Sequence, residues 1–158
     1  MKTHIIRRAL LALGICSALN MQAQAPHPER IYLSGTGTDY TRTWEFYCSK
    51  GQNSGKWKSI EVPSCWELQG FGEYTYGRYY TIKGAKPSDE TGIYRYRFLT
   101  PDCGKNDRIK LFFDGVMTDA EVRVNGNPAG QIHQGAFYRF SYDITSLLKA
   151  EGENLLEV

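Results

Sequence analysis

The stretch Ala120-Glu121-Val122-Arg123-Val124-Asn125-Gly126 sets an apolar side chain at every second position, charges between them, and closes on Asn-Gly. A period of two is the repeat of a β-strand with one buried face. Asn-Gly directly after such a run is the strongest short-range signal for a hairpin turn. The segment therefore predicts a strand that reverses sharply, with residues 130–133 as the returning strand. The same alternation recurs on both sides. Tyr94, Tyr96 and Phe98 alternate with Arg95 and Arg97, and Ile109, Leu111 and Phe113 with Arg108 and Lys110. Tyr138, Phe140 and Tyr142 make a further face. Ile60 and Val62 end a shorter strand at Pro63, which cannot donate to a ladder. Helix is confined to one turn over residues 143–149, with Asp143 or Thr145 as its cap and Ile144 and Leu147 turned inward. About seven or eight short strands separated by turn signals predict an all-β sandwich or jelly roll.

The 158 residues suffice for one domain with a real core. Lys2, Arg7 and Arg8 precede an apolar run from Ala9 to Leu19 that is too short to span a bilayer. Small residues follow at Ala23 and Ala25, the pattern of an export signal. Pro26 disfavours a cut after Ala25, so residues 1–23 are read as the signal peptide and 24–158 as the mature domain. Ile15 is too large for lipoprotein processing at Cys16. Subtracting the leader's three cations from the net charge of +2 leaves −1, which argues against nucleic acid or an anionic membrane as partner. Cys48, Cys65 and Cys103 then remain, with no paired spacing that suggests a disulfide framework or a zinc site. Export leaves one bridge open, and buried free thiols are the reading favoured by the composition.

One irregular stretch, from Ser64 to Thr91, interrupts the strands and carries Gly70, Gly72, Tyr74, Tyr76, Gly77, Tyr79 and Tyr80. Loops of this length usually have a job or are ordered by a neighbour. Its tyrosines, with Trp57 and Trp66, could stack on sugar rings, anchor the loop or meet another domain. His133 lacks a second ligand at metal spacing, and a satisfied polar contact is its default reading. Gly35-Thr36-Gly37 is followed by neither a helix nor a suitable lysine, so it is not a phosphate loop. No metal or cofactor is implied.

These residues fall into blocks that resemble the N-terminal domain of family 2 glycoside hydrolases, bacterial β-galactosidases in particular. Ile60-Glu61-Val62-Pro63-Ser64-Cys65-Trp66-Glu67 resembles their V-P-x-x-W segment, and Gly92-Ile93-Tyr94-Arg95 their G-x-Y-R strand. Phe113-Asp114-Gly115-Val116, the 120–126 run, Asp143-Ile144-Thr145 and Glu153-Asn154-Leu155-Leu156-Glu157-Val158 follow in family order, so the likeness covers roughly residues 30–158. It implies a galactose-binding-like jelly roll that packs, in that family, against an immunoglobulin-like domain and a catalytic barrel, the further domains being its partners. Two barrel glutamates do the family's retaining chemistry, which needs carboxyl groups about 5 Å apart. The acids here read as solvated charges or loop contacts, so no catalytic pair is assigned and the chain alone is expected to be inactive.

In the β-galactosidases the residue after the F-D-G-V block is an asparagine that reaches the active site. Here it is Met117, which offers no amide. Thr118 and Asp119 are the neighbouring candidates for a sugar contact, with loop capping the alternative role for Asp119. The leader implies export, to the periplasm or outside the cell, and the resemblance implies a carbohydrate-binding module of a β-galactosidase-like hydrolase. A free-standing lectin of this fold and a purely structural interface domain are the alternatives. Leu155 to Val158 reads as a strand running to the last residue, which suggests a domain cut at its C-terminal end, with an unfinished sheet edge prone to associate.

Overall fold

The structure, a computed structural model, describes residues 28–73, 83, 89–104 and 106–158. The leader assigned to residues 1–23 and the tyrosines at 74, 76, 79 and 80 lie outside these residues. The unit from Ile31 to Val158 carries ten strands among the described residues. They are β1 (Arg42–Cys48), β2 (Trp57–Val62), β3 (Gly92–Leu99), β4 (Lys110–Phe113), β5 (Asp119–Ala120), β6 (Arg123–Val124), β7 (Asn127–Pro128), β8 (His133–Gln134), β9 (Phe140–Asp143) and β10 (Glu153–Glu157). All pairings are antiparallel. Six strands form a sheet in the order β2-β1-β3-β10-β6-β7, and the pairs β4-β9 and β5-β8 make two smaller ribbons. Side chains of the large sheet and of the β4-β9 ribbon share one core, as in a galactose-binding-like β-sandwich.

Phe46 stands at the centre of that core, fully buried. Its ring meets Tyr94 at 4.5 Å, Phe71 edge-on at 4.9 Å and Trp66 at 5.6 Å, close to the geometries aromatic quadrupoles favour. The two sequence blocks around Trp66 and Gly92 are halves of one contact. A Cβ on Gly92 would lie 2.2 Å from the Trp66 ring and 2.7 Å from Phe46. Only a glycine there lets the indole lie flat on β3. Pro63 ends β2 as its chemistry requires, and a 3-10 turn over Trp66–Gln69 folds the chain back. Gln69 then seals the exposed edge of β2. Its Oε1 accepts the Glu61 N–H at 3.0 Å and its Nε2 donates to the Glu61 carbonyl at 2.9 Å, so one amide replaces a neighbouring strand.

The Asn-Gly turn forms as read, joining β6 to β7 with positive φ at Asn125 (54°) and Gly126 (81°). The return begins earlier than residue 130, at Asn127–Pro128, and of residues 130–133 only His133 lies in a strand, β8, where it pairs with Ala120. Ala120, Val122 and Val124 are all buried as the alternation demands. Yet the run is not one strand: Asp119 and Ala120 pair with β8, whereas Arg123 and Val124 pair with β10 and β7. Ala120, Val122 and Val124 all turn inward, so the chain changes partners without breaking its period. Tyr138 precedes β9 and is exposed. Cys48, Cys65 and Cys103 are free, as expected, but only Cys48 is buried; Cys65 and Cys103 lie at the surface. β10 lies between β3 and β6 in the large sheet.

Among the described residues one polar side chain, Asn154 of β10, is wholly buried. Its Oδ1 accepts the Lys149 N–H at 2.9 Å and Asn125 Nδ2 at 2.8 Å, and its Nδ2 donates to Thr100 Oγ1 at 2.9 Å. Asn125 in turn donates to the Leu147 carbonyl at 2.9 Å and accepts the Leu155 N–H at 3.0 Å. The 3-10 turn Thr145–Leu147 is held at its other side by Asp143, whose Oδ1 accepts the Thr145 hydroxyl at 2.6 Å and amide at 3.1 Å, while Oδ2 meets Arg108 at 2.9 Å. These bonds, those from Thr145 first, hold the Asp143 carboxyl down at about 2.

Two predictions follow from these anchors. Asn154→Leu keeps the volume but leaves several buried groups unpartnered, and should cost about 3 kcal/mol in urea unfolding; a loss within experimental error would show that water replaces the network. A depressed carboxyl contributes stability above its unfolded value of about 3.9 and loses it as the pH falls toward 2. The stability gap between wild type and Asp143→Asn should therefore be widest near pH ~6 and close toward pH ~2. A gap independent of pH would contradict the assignment.

Candidate functional site

The F-D-G-V block carries the chain out of β4 into a loop over residues 114–118, which enters β5. A second loop, over residues 135–139, leads from β8 into β9. The structure ties the two together. The Gly135 N–H donates to the Thr118 carbonyl at 2.9 Å. Arg139 donates through Nε at 2.8 Å and Nη2 at 2.7 Å to Asp114 Oδ1. A Cβ on Gly115 would stand 2.9 Å from the Ala136 carbonyl, so the close approach of the loops requires glycine.

Below the loops lies an aromatic stack. Phe113 packs on Phe140 with centroids 4.7 Å apart and planes 9° apart, and His133 covers Phe140 at 3.8 Å and 13°. Tyr142 meets Phe140 edge-on. His133 Nε2 lies 3.0 Å from the Gly135 carbonyl, to which the Nε2–H tautomer donates. The histidine is thus a satisfied support for the second loop, and the described residues hold no cluster of three potential metal ligands. On this base, Met117, Phe137 and Tyr138 are 68%, 86% and 70% exposed. A fixed platform presenting a thioether and two rings can cover a sugar face or meet an apolar surface of another domain.

Of the predicted contacts, Met117 and Thr118 sit at the loop tip and Asp119 begins β5 opposite Gln134. Thr118 engages the second loop through its carbonyl. The Asp119 side chain makes no hydrogen bond or ion pair among the described residues, so it is exposed but caps no loop. Phe137 and Tyr138 escaped the sequence reading. Tyr138 fits the alternation of β9, and only Gly135, whose φ is 126°, marks the break before that strand.

The remaining candidates are occupied. Trp66 is half-buried against Phe46. Trp57 lies under the Arg95 guanidinium, 4.0 Å from its ring centre. Glu61 accepts both Thr41 and Thr43 hydroxyls at 2.7 Å, which lower its carboxyl below the usual range. Glu67 accepts the Cys65 thiol at 2.8 Å and so raises that thiol. Glu121 pairs with Arg123 at 2.5 Å, and Glu90 accepts the Glu73 N–H at 3.0 Å. The Gly35 and Thr36 N–H groups donate to the Val62 and Tyr40 carbonyls, so they do not cradle a phosphate.

Residues 44–158 match the family described as the glycosyl hydrolase 2 galactose-binding domain-like family. The β-galactosidase BoGH2A of Bacteroides ovatus is 31% identical over 131 residues, covering 77% of this chain and 15% of that protein. The FMN-binding β-glucuronidase of Faecalibacterium prausnitzii L2-6 superposes with a TM-score of 0.54 at 26% identity, over 72% of this chain and 16% of that one. A β-D-mannosidase of Dictyoglomus thermophilum does so with a TM-score of 0.50 at 28% identity, over 73% and 14%. The chain therefore spans about a sixth of the length of these relatives. A (β/α)8 barrel takes about 250 residues, and these 158 do not hold one.

Proposed function

This chain belongs to the galactose-binding domain-like family of glycosyl hydrolase 2, and from that premise we propose that it is an exported accessory module of a β-galactoside hydrolase. Its part is to bind and position. The paired loops set Met117, Phe137 and Tyr138 at the rim of a substrate pocket whose catalytic groups come from another domain. The observation that carries this reading is the exposed apolar tip on a rigid base. Ordered loops spend little conformational entropy on contact, so their exposed rings are suited to recognition. Met117 supplies apolar cover where an amide would supply a hydrogen bond, which predicts weak discrimination among sugar hydroxyls at that point. The choice of β-galactoside is supported by relatives more than 30% identical that are named β-galactosidases. Export is supported by the basic and apolar leader and the small residues at Ala23 and Ala25.

Secretion of the chain from a bacterial host and purification from outside the cytoplasm tests both parts. The protein should begin at Gln24 and leave nitrophenyl β-galactoside, β-glucuronide and β-mannoside unhydrolysed. Retention of residues 1–23 would contradict export, and robust turnover of any of the three would overturn the accessory role.

A further inference from the structure

The outward face of the six-stranded sheet carries a groove that the loop reading does not use. β1 and β3 pair from Cys48 and Gly92 only as far as Glu45 and Arg95. Beyond that point β1 continues with β2 to Arg42, and β3 continues with β10 to Leu99. The two strands part, and a groove opens between them. Glu45, Ser59, Arg95 and Arg97 line its walls, and Trp44 and Tyr96 its floor. The floor is fixed: the two rings stack at 4.9 Å, and Arg42 donates to the Tyr96 hydroxyl across the split at 3.3 Å.

The walls combine two held groups, Thr43 (bonded to Glu61 at 2.7 Å) and Arg95, with three open ones. Arg95 is locked by Glu157 at 2.7 Å and by Trp57 beneath its guanidinium. The side chains of Glu45, Ser59 and Arg97 make no hydrogen bond or ion pair among the described residues. An open carboxylate, an open guanidinium and a hydroxyl on rigid strands offer both acceptors and forked donors at short spacing. Neighbouring hydroxyls of a pyranose ring present the complementary pattern. Charge decides the ligand class. Arg42, Arg95 and Arg97 are balanced by Glu45, Glu61 and Glu157, so the groove has no excess positive charge to draw an anion.

The geometry points to a second, sheet-face site that takes a neutral hexopyranose unit of a glycan. This site is separate from the Met117 loop and stands or falls independently of it.

Titration of the isotope-labelled full chain with lactose, followed by backbone amide NMR, tests the assignment. Amides of residues 43–45, 59 and 95–97 should shift, with a dissociation constant on the order of 1 mM for so open a groove. Arg97→Gln and Glu45→Gln, shown to be folded by the same spectra, should each weaken binding about tenfold. Shifts confined to residues 114–119 and 135–139 would overturn the groove while supporting the loop. Silence at ~50 mM lactose would overturn it as well, since a millimolar site would then be almost saturated. Tighter binding of galacturonate than of lactose would overturn the neutral class.

Discussion

The buried amide of Asn154 is the constraint around which the sandwich is arranged. An unpartnered polar group in a core costs more than a hydrogen bond returns, so this side chain is tolerated only where each bond is made. Its partners come from Thr100 after β3, Lys149 beyond the 3-10 turn, and Asn125 in the β6-β7 hairpin. Asn125 adds Leu147 and Leu155. A slip of β10 by one residue would bury Glu153 or Leu155 in its place and strand the entire set. The network therefore selects one register for the middle of the large sheet, while the aromatic cluster around Phe46 sits at the centre of the core. Non-directional packing provides stability, and the amides provide uniqueness.

That register fixes the two surfaces to which the proposals assign binding. Because β6 is tied to β10, the run from Asp119 to Val124 must cross from the small ribbon to the large sheet, and this brings the loop after β4 beside the loop before β9. The aromatic stack of Phe113, Phe140 and His133 then holds both loops. The exposed tip is apolar, and Glu61, Glu67, Asp114, Glu121 and Asp143 are engaged by threonine, thiol or arginine donors. Under the proposed function, the domain offers shape and cover at a pocket rim, and the proton and bond chemistry lies elsewhere in the enzyme. Membership of a glycosidase family and a purely recognitional role are compatible, because sites are grafted onto folds and domains divide the work.

Much of this was legible in the residues, for reasons that also mark where the reading stops. Period two identified the core-facing positions at 94–98, 109–113 and 120–124, because the face a side chain takes does not depend on the partner strand. The partner is another matter. Nothing local distinguishes Ala120, paired to β8, from Val124, paired to β10, so the split and the place of the returning strand were missed. Asn125-Gly126 announced its turn because few residues accept positive φ in succession. Gly92 and Trp66 were noted as separate blocks, and only the fold shows one ring lying on the other glycine. Asn154 reads as an ordinary polar residue within a strand; its burial becomes visible only once β10 is interior. Phe137 and Tyr138 were hidden by an alternation that continued two residues beyond its strand.

The central claim is that this domain contributes binding and no chemistry. It is tested most directly by exchanging residues 44–158 for the matched segment of the Bacteroides ovatus β-galactosidase and measuring steady-state kinetics on nitrophenyl β-galactoside. A folded chimaera should keep kcat within about tenfold of the parent and lose mainly in KM, the mark of altered ground-state contact. A folded chimaera whose kcat is abolished, with KM unchanged, would place part of the catalytic apparatus in this domain and contradict the account.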